Sequence, residues 1–178
     1  MNFRNLLIAS AGASAALMIA GAAEAANTIT SSAGASISLI GAISLTKNSD
    51  LSFGEVVIPT SSSAVVTVAA SNGAVVTSSD TAVHTAGSGP AKFTFVGTTA
   101  GDTFNNVSAG STVTLSDGNS HTLTLTPAIA LTGTTGSGPY QVAGATAPVL
   151  YVGGSITIPT GATAAAYTGT VNVSLTYP

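Results

Sequence analysis

Few side chains in this sequence are suited to catalysis or metal binding. The 178 residues include two histidines, six acidic residues and no cysteine. His84 and His121 each follow an aspartate by four residues, Asp80 and Asp117, so a Ser-His-Asp hydrolase or a small loop metal site are the chemistries to consider. No G-x-S-x-G nucleophile motif accompanies them, and the acidic residues are scattered. We therefore expect both histidines in polar turns, no catalytic residue, no cofactor and no metal ligand, and hence a protein that is not an enzyme.

Two tyrosines are candidates for contact with a ligand. Tyr140 and Tyr151 flank a loop that is rich in glycine and ends in proline, residues 133–139. A tyrosine ring offers an apolar face and a polar hydroxyl, so either ring could stack on a sugar. Packing within the protein is the alternative for both side chains.

The composition excludes several classes of partner. Charged residues make up 5% of the chain, with three lysines and arginines and a formal net charge of −3. Nucleic-acid binding depends on basic clusters, and so does attraction to anionic lipid surfaces. The sequence therefore predicts neither a nucleic-acid partner nor a polybasic membrane patch, and the absence of cysteine excludes disulfides.

Residues 1–25 have the pattern of a secretory signal peptide. Arg4 precedes an apolar stretch from Leu6 to Ala22, and Ala23-Glu24-Ala25 is a cleavage signature that places the mature start at Ala26. A retained transmembrane anchor is the alternative, but the stretch is short and rich in small residues. We expect no integral membrane segment after removal of the leader, and a protein secreted through the periplasm to the surface of a Gram-negative bacterium.

The remainder of the chain alternates apolar and hydroxyl residues as half-buried strands do. The apolar positions of these runs are Ile37, Leu39, Ile43, Leu45, Leu51, Phe53, Val66, Val68, Phe93, Phe95, Val113, Leu115, Leu123, Leu125, Ile156, Ile158, Tyr167, Val171, Val173, Leu175 and Tyr177. Asn72-Gly73 and Asp117-Gly118 are hairpin signals between them. About eight short strands so spaced predict an all-β, antiparallel, immunoglobulin-like β-sandwich over residues 37–178, preceded by an N-terminal extension over residues 26–36.

Two segments carry a family resemblance. Residues 42–54 read A-I-S-L-T-K-N-S-D-L-S-F-G and resemble the start of the DUF4402 domain. The stretch from Gly161 to Tyr177 resembles the closing strand of that family. Both segments are also similar to those of spore coat U proteins and archaic chaperone–usher pilins, although this chain lacks the cysteines usual in those pilins.

The resemblance implies a particular mode of assembly. Such pilins are sandwiches that lack one strand, and the gap is filled by the N-terminal extension of a neighbouring subunit after a periplasmic chaperone has covered it. It implies that Val171, Val173, Leu175 and Tyr177 line the subunit or chaperone interface, that Phe53 lies in the core and that Gly54 lies at a turn. In residues 26–35, Ile29 is the one bulky apolar residue for a donor strand. The run from Ile37 to Leu45 is either part of a donor or the domain's own first strand.

Two functions remain open at this point. The first is a secreted structural subunit of a fimbria-like, adhesive surface fibre, whose partners are copies of itself together with a periplasmic chaperone and an outer-membrane usher. The alternative is a monomeric secreted or periplasmic β-sandwich that binds a glycan or a protein ligand.

Overall fold

The computed structural model describes residues 30–37, 39, 41–71, 75–78 and 87–177. These residues form β-strands and no helix, which confirms the all-β prediction. The strands are β1 (Ser44–Ser49), β2 (Ser52–Phe53), β3 (Ala64–Val68), β4 (Val75–Ser78), β5 (Ser88–Gly89), β6 (Ala91–Val96), β7 (Thr103–Phe104), β8 (Asn106–Ser108), β9 (Val113–Ser116), β10 (Thr122–Thr132), β11 (Thr134–Thr135), β12 (Tyr140–Val142), β13 (Val149–Ile158) and β14 (Ser174–Thr176).

Seven of these strands form the main sheet, and every pairing in it is antiparallel. Its order is β1-β6-β13-β10-β9, and β3 pairs with both β13 and β4. The long strand β13 lies at the centre of this sheet. β10 pairs along one of its edges, and β6 and β3 share the other edge. Residues 149–152 pair with β6 and residues 154–158 pair with β3. The change of partner occurs at Gly153 and Gly154.

Three short ladders lie beside the main sheet. They are β11-β12-β7, β14-β8 and β2-β5. Phe104 of β7 is fully buried, and its ring stacks on Phe95 of the main sheet with centroids 5.1 Å apart. Val107 of β8 and Val142 of β12 join the same cluster with Leu150. The result is a sandwich-like arrangement whose first hydrophobic cluster lies between the main sheet and the short ladders.

A second hydrophobic cluster lies near the β3 side of the main sheet. Val66, Leu115, Leu125, Ile156 and Ile158 are its buried members. Phe53 is half-buried against it, and Gly54 follows with a φ of 69°. Phe53 therefore lies at the margin of the second cluster, whereas the family resemblance implied a place in the core. Along β3 the buried residues alternate with half-buried ones, as the period-two pattern predicted.

Two predicted strands differ from the observed ones. In the run from Ile37 to Leu45, the strand begins only at Ser44, where β1 pairs with β6. In the last run, from Tyr167 to Tyr177, the ladder with β8 covers only Ser174–Thr176. Alternation favours an extended backbone in both cases, but a ladder also needs a neighbouring strand in register.

Several predictions fall on residues outside the described ranges. These are the signal peptide, Ile29, the Asn72-Gly73 turn, and the Asp80 and His84 pair. Contacts assign Leu39–Pro178 to one compact unit. Of the unit that precedes it, the structure describes residues 30–37, which form no strand and whose side chains are exposed. The described residues include no helix that is long and apolar enough to cross a membrane.

Candidate assembly surface

The last segment of the chain, residues 167–177, packs apolar side chains against the first hydrophobic cluster. Val171, Val173 and Leu175 are half-buried there, whereas Tyr177 is 44% exposed. Alternate positions are apolar, so a single face of the segment meets the cluster. The structure thus places three of the four predicted interface residues at the margin of the core, where each keeps part of its surface uncovered.

Pairing along one edge of this segment is interrupted in the middle. Thr168 and Ser116 exchange two backbone hydrogen bonds of 2.8 and 2.9 Å, and pairing resumes at β14 with β8. Between these points the opposite strand detours at Gly110, whose φ is 77°. A cleft of about 340 Å³ opens there, with Thr112 and Asn172 in its lining. The ladder is short because its partner departs, although the last segment keeps its alternating pattern.

Several strand edges beside the first cluster have no partner among the described residues. β14 pairs only with β8, and β1 pairs only with β6. Ile43 and Leu45, at the start of β1, pack against the same cluster as the last segment. An unpaired edge leaves a row of backbone donors and acceptors able to pair with an added strand. The margin of this cluster therefore combines half-buried apolar side chains with open strand edges.

The segment before β1 exposes large apolar side chains. Ile37 is 83% exposed and Leu39 is 84% exposed. Together with Ala33 and Ala35 they occupy alternate positions in the sequence, in phase with the half-buried Leu45. Exposed apolar residues are ordinary when single, but two large ones in strand alternation give this segment the pattern of a strand whose apolar face is uncovered.

The Asp117 and His121 pair forms a closed turn between β9 and β10. Asp117 accepts hydrogen bonds from the His121 ring Nδ1 at 2.7 Å and from the backbone N–H groups of Asn119 and His121 at 2.8 and 3.3 Å. The bond from the His121 ring is the largest cause that lowers the pKa of Asp117 from 3.8 to about 2, with the backbone bonds adding to it and desolvation opposing it. The carboxylate thus holds the turn together, as a structural role requires.

The two candidate ligand-binding tyrosines lie in different surroundings. Tyr140 is half-buried, and its ring lies 6.1 Å from that of Phe104 at the first cluster. Tyr151 instead lines an open cleft of about 480 Å³ together with Asp50 and Lys92. No sequence signal indicated that cleft, because its residues come from strands that are distant in the chain. The structure gives no contact between the two tyrosines.

Metal-ligating side chains are not clustered in this part of the molecule. Within the described ranges, no three His, Asp or Glu side chains lie close enough to hold a metal ion.

Comparison with known proteins gives one family match. The model of a family described as a domain of unknown function, DUF4402, matches residues 43–177. No curated protein and no solved structure matches the chain. The matched region begins just before β1 and includes the half-buried residues of the last segment.

Proposed function

The chain belongs to the DUF4402 family, and from its structure we propose that it is a secreted, non-enzymatic subunit of a fimbria-like surface fibre. Subunits would join by β-strand complementation, each lending its N-terminal segment to the next. The observation that carries this proposal is that one chain has both an exposed segment of alternating apolar residues and a strand edge without a partner. Ile37 and Leu39 are exposed in strand alternation, while β14 keeps one edge without a partner among the described residues.

The donor in this proposal is residues 29–39, which begin within the predicted N-terminal extension and end just after it. Ala33, Ala35, Ile37 and Leu39 share one phase, and Ile29 continues that phase towards the N-terminus. Added as a strand, this face would turn towards the first cluster while its backbone pairs with the open edge. Burial of Ile37 and Leu39 would contribute about 3–6 kcal/mol, at about 1.5–3 kcal/mol for each side chain.

The acceptor in this proposal is the last segment. Val171, Val173 and Leu175 would receive the donor's apolar side chains, because each already contacts the cluster and is only half-buried. Donor and acceptor are different surfaces of one chain, so the contact is head-to-tail, and in this proposal the rotation between subunits does not close a ring. Repetition of such a contact gives a fibre. A chain with 5% charged residues offers little electrostatic repulsion between copies.

The resemblance to archaic chaperone–usher pilins and spore coat U proteins supports the same proposal. It supplies the remaining partners: a periplasmic chaperone that covers the acceptor before assembly, and an outer-membrane usher that exports the subunit. The open edge of β14 is where such a chaperone would pair, because it joins exposed backbone groups to an apolar margin.

Two complementary variants test the proposal by mixing. Ile37→Asp with Leu39→Asp disables the donor, and Val173→Asp disables the acceptor, since a buried carboxylate without a partner is unfavourable. We expect neither variant to form fibres alone by electron microscopy, and a mixture of the two to stop at dimers in size-exclusion chromatography. Ser36→Asp, on the opposite phase of the same segment, is the matched control and should polymerise as the unmodified protein does.

A peptide experiment keeps the test decisive if Val173→Asp does not fold. A synthetic peptide of residues 29–39 should raise the melting temperature of the donor-disabled variant as its concentration increases, because a ligand that binds only the folded state stabilises it. The same peptide with both Asp substitutions should have no effect. Fibres from the donor-disabled variant, or equal melting temperatures with both peptides, would contradict β-strand complementation.

A further inference from the structure

A polar cleft is lined by residues that belong to neither the proposed donor nor the proposed acceptor. Ser49, Lys92 and Tyr151 stand in one register row across β1, β6 and β13. Directly opposed residues on neighbouring strands have Cβ atoms about 4.5–5.5 Å apart, so Lys92 and Tyr151 are immediate neighbours. Ser49 follows a register shift in β1 and lies on the other side of Lys92. This row forms the floor of the cleft of about 480 Å³, a volume within the range of about 300–1,000 Å³ for small-molecule sites.

The opposite wall of the cleft comes from the short β2-β5 ladder. Ser52 pairs with Gly89, and the Ser52 hydroxyl donates a 2.8 Å hydrogen bond to the carbonyl oxygen of Gly87. The Ser49 hydroxyl donates a 3.1 Å bond to the carbonyl oxygen of Pro90. The first bond lies within the wall, and the second ties the wall to β1 at Ser49. Because the glycines carry no side chain, the cleft stays open above the row.

Hydrogen-bonding groups at this cleft remain available. Among the described residues, none forms an ion pair with the Lys92 amino group or a hydrogen bond with the Tyr151 hydroxyl. The Asp50 carboxylate also lines the cleft, and one of its oxygens accepts a 2.7 Å bond from Lys47 while its side chain is 80% exposed. The cleft thus offers a cationic donor, an anionic acceptor and an aromatic ring within one small volume.

We propose that this cleft binds a pyranose sugar, such as the terminal residue of a surface glycan. A pyranose has hydroxyl groups that both donate and accept, and these suit Lys92 and Asp50 respectively. Its C–H faces are apolar and suit the ring of Tyr151, whose hydroxyl adds a polar contact. A phosphate ligand fits less well, because the exposed carboxylate of Asp50 repels it. This site would make the chain a sugar-binding protein independently of whether it polymerises.

Saturation-transfer NMR tests the site, because it detects weak binding of a small ligand to a much larger protein. The full mature protein is mixed with methyl glycosides of glucose, galactose, mannose and N-acetylglucosamine. We expect saturation transfer to at least one of these glycosides. For Tyr151→Ala we expect the dissociation constant to rise at least about tenfold. Tyr140→Phe is the matched control, since that ring packs against Phe104, and should bind as the unmodified protein does.

Two milder variants decide the outcome if Tyr151→Ala loses its fold by circular dichroism. Tyr151→Phe keeps the ring and removes the hydroxyl, and Lys92→Gln removes the charge while keeping a donor. Both should weaken saturation transfer to the same glycoside. Absence of transfer to every glycoside, or equal transfer in these variants and the unmodified protein, would overturn the proposal. Retained binding in the donor-disabled variant would show that sugar binding does not depend on assembly.

Discussion

At the scale of single residues, Asp117 shows how a chemically suggestive pair serves the fold. Its side chain is only 1% exposed although it lies in a turn, because the turn closes around it. The Ser116 hydroxyl accepts a further 3.1 Å bond from the Gly118 N–H, and Gly118 has a φ of 81°, which favours glycine. The residues 116–121 therefore form a compact connection in which the carboxylate is the common acceptor.

The lowered pKa of Asp117 predicts a pH-dependent stability. A carboxyl whose pKa is lower in the folded state stabilises the fold above its unfolded pKa of 3.8, and that contribution is lost as the pH falls towards about 2. We expect Asp117→Asn to lower the melting temperature at neutral pH, and the difference from the unmodified protein to shrink below about pH 4. Thermal unfolding followed by circular dichroism across this range measures it.

Asp50→Asn is the control for this prediction. Asp50 is paired only with an exposed lysine, Lys47, in an exposed ion pair, and such pairs contribute little. Its melting temperature should differ little from that of the unmodified protein. A constant difference for Asp117→Asn from neutral pH down to pH 2 would contradict the assigned role of the carboxylate.

At the scale of elements, β13 organises the main sheet because two strands share one of its edges. The partner changes from β6 to β3 between Val152 and Gly154. At Gly153 the neighbouring backbone comes very close. A Cβ added there would meet the carbonyl oxygen of Val68 and lie 2.6 Å from the backbone nitrogen of Ala70. Only glycine leaves room for this approach.

Substitution of Gly153 should therefore weaken the sheet. We expect Gly153→Ala to reduce the free energy of unfolding by about 1–3 kcal/mol, the usual cost of overpacking a well-packed site. Urea denaturation measures this change. Gly144→Ala is the matched control, because a Cβ at Gly144 has no neighbour within 4 Å. Equal stability of the two variants would show that β13 and β3 can separate without cost.

Local patterns predicted the elements better than their pairing. The Asp117-Gly118 dipeptide predicted a hairpin, and the structure has one between β9 and β10. The alternation from Tyr167 to Tyr177 predicted a continuous strand, but only Ser174–Thr176 forms a ladder. Turn geometry depends on a few adjacent residues, so a short sequence determines it. A ladder also depends on a second strand. The sequence of the last segment does not determine the course of that strand near Gly110.

At the scale of the whole molecule, one aromatic group joins the main sheet to the short ladders. Phe104 is fully buried between Phe95 of β6 and Tyr140 of β12. Aromatic pairs in such contact add stability beyond the apolar area they bury. Phe104 thus links the two sides of the first hydrophobic cluster, in which Phe93, Phe95 and Tyr140 are the other rings among the described members.

Truncation of Phe104 should have a large effect on global stability. We expect Phe104→Ala to cost about 3–5 kcal/mol in the free energy of unfolding, as buried Phe→Ala substitutions do. Urea denaturation of the whole chain is the measurement. Phe53→Ala removes a ring that is only half-buried at the second cluster, so it should cost less. An equal or smaller loss for Phe104→Ala would argue against its central role in the core.

The sequence by itself determined the class of fold and the family. Period-two alternation, turn dipeptides and hydroxyl-rich opposite faces are local, and they require strands that bury one face. The segments 42–54 and 161–177 carried the family resemblance, and the family match over residues 43–177 confirms it.

Only the tertiary structure decided which surfaces remain available for other molecules. Ile37, Leu39 and Leu45 share one alternating pattern, yet the first two are exposed and the third is half-buried. Likewise, Lys92 and Tyr151 are far apart in the chain and adjacent in the sheet. Alternation fixes the face to which a side chain points. Whether that face is covered, and what lies beside it, depends on register and packing between strands distant in sequence.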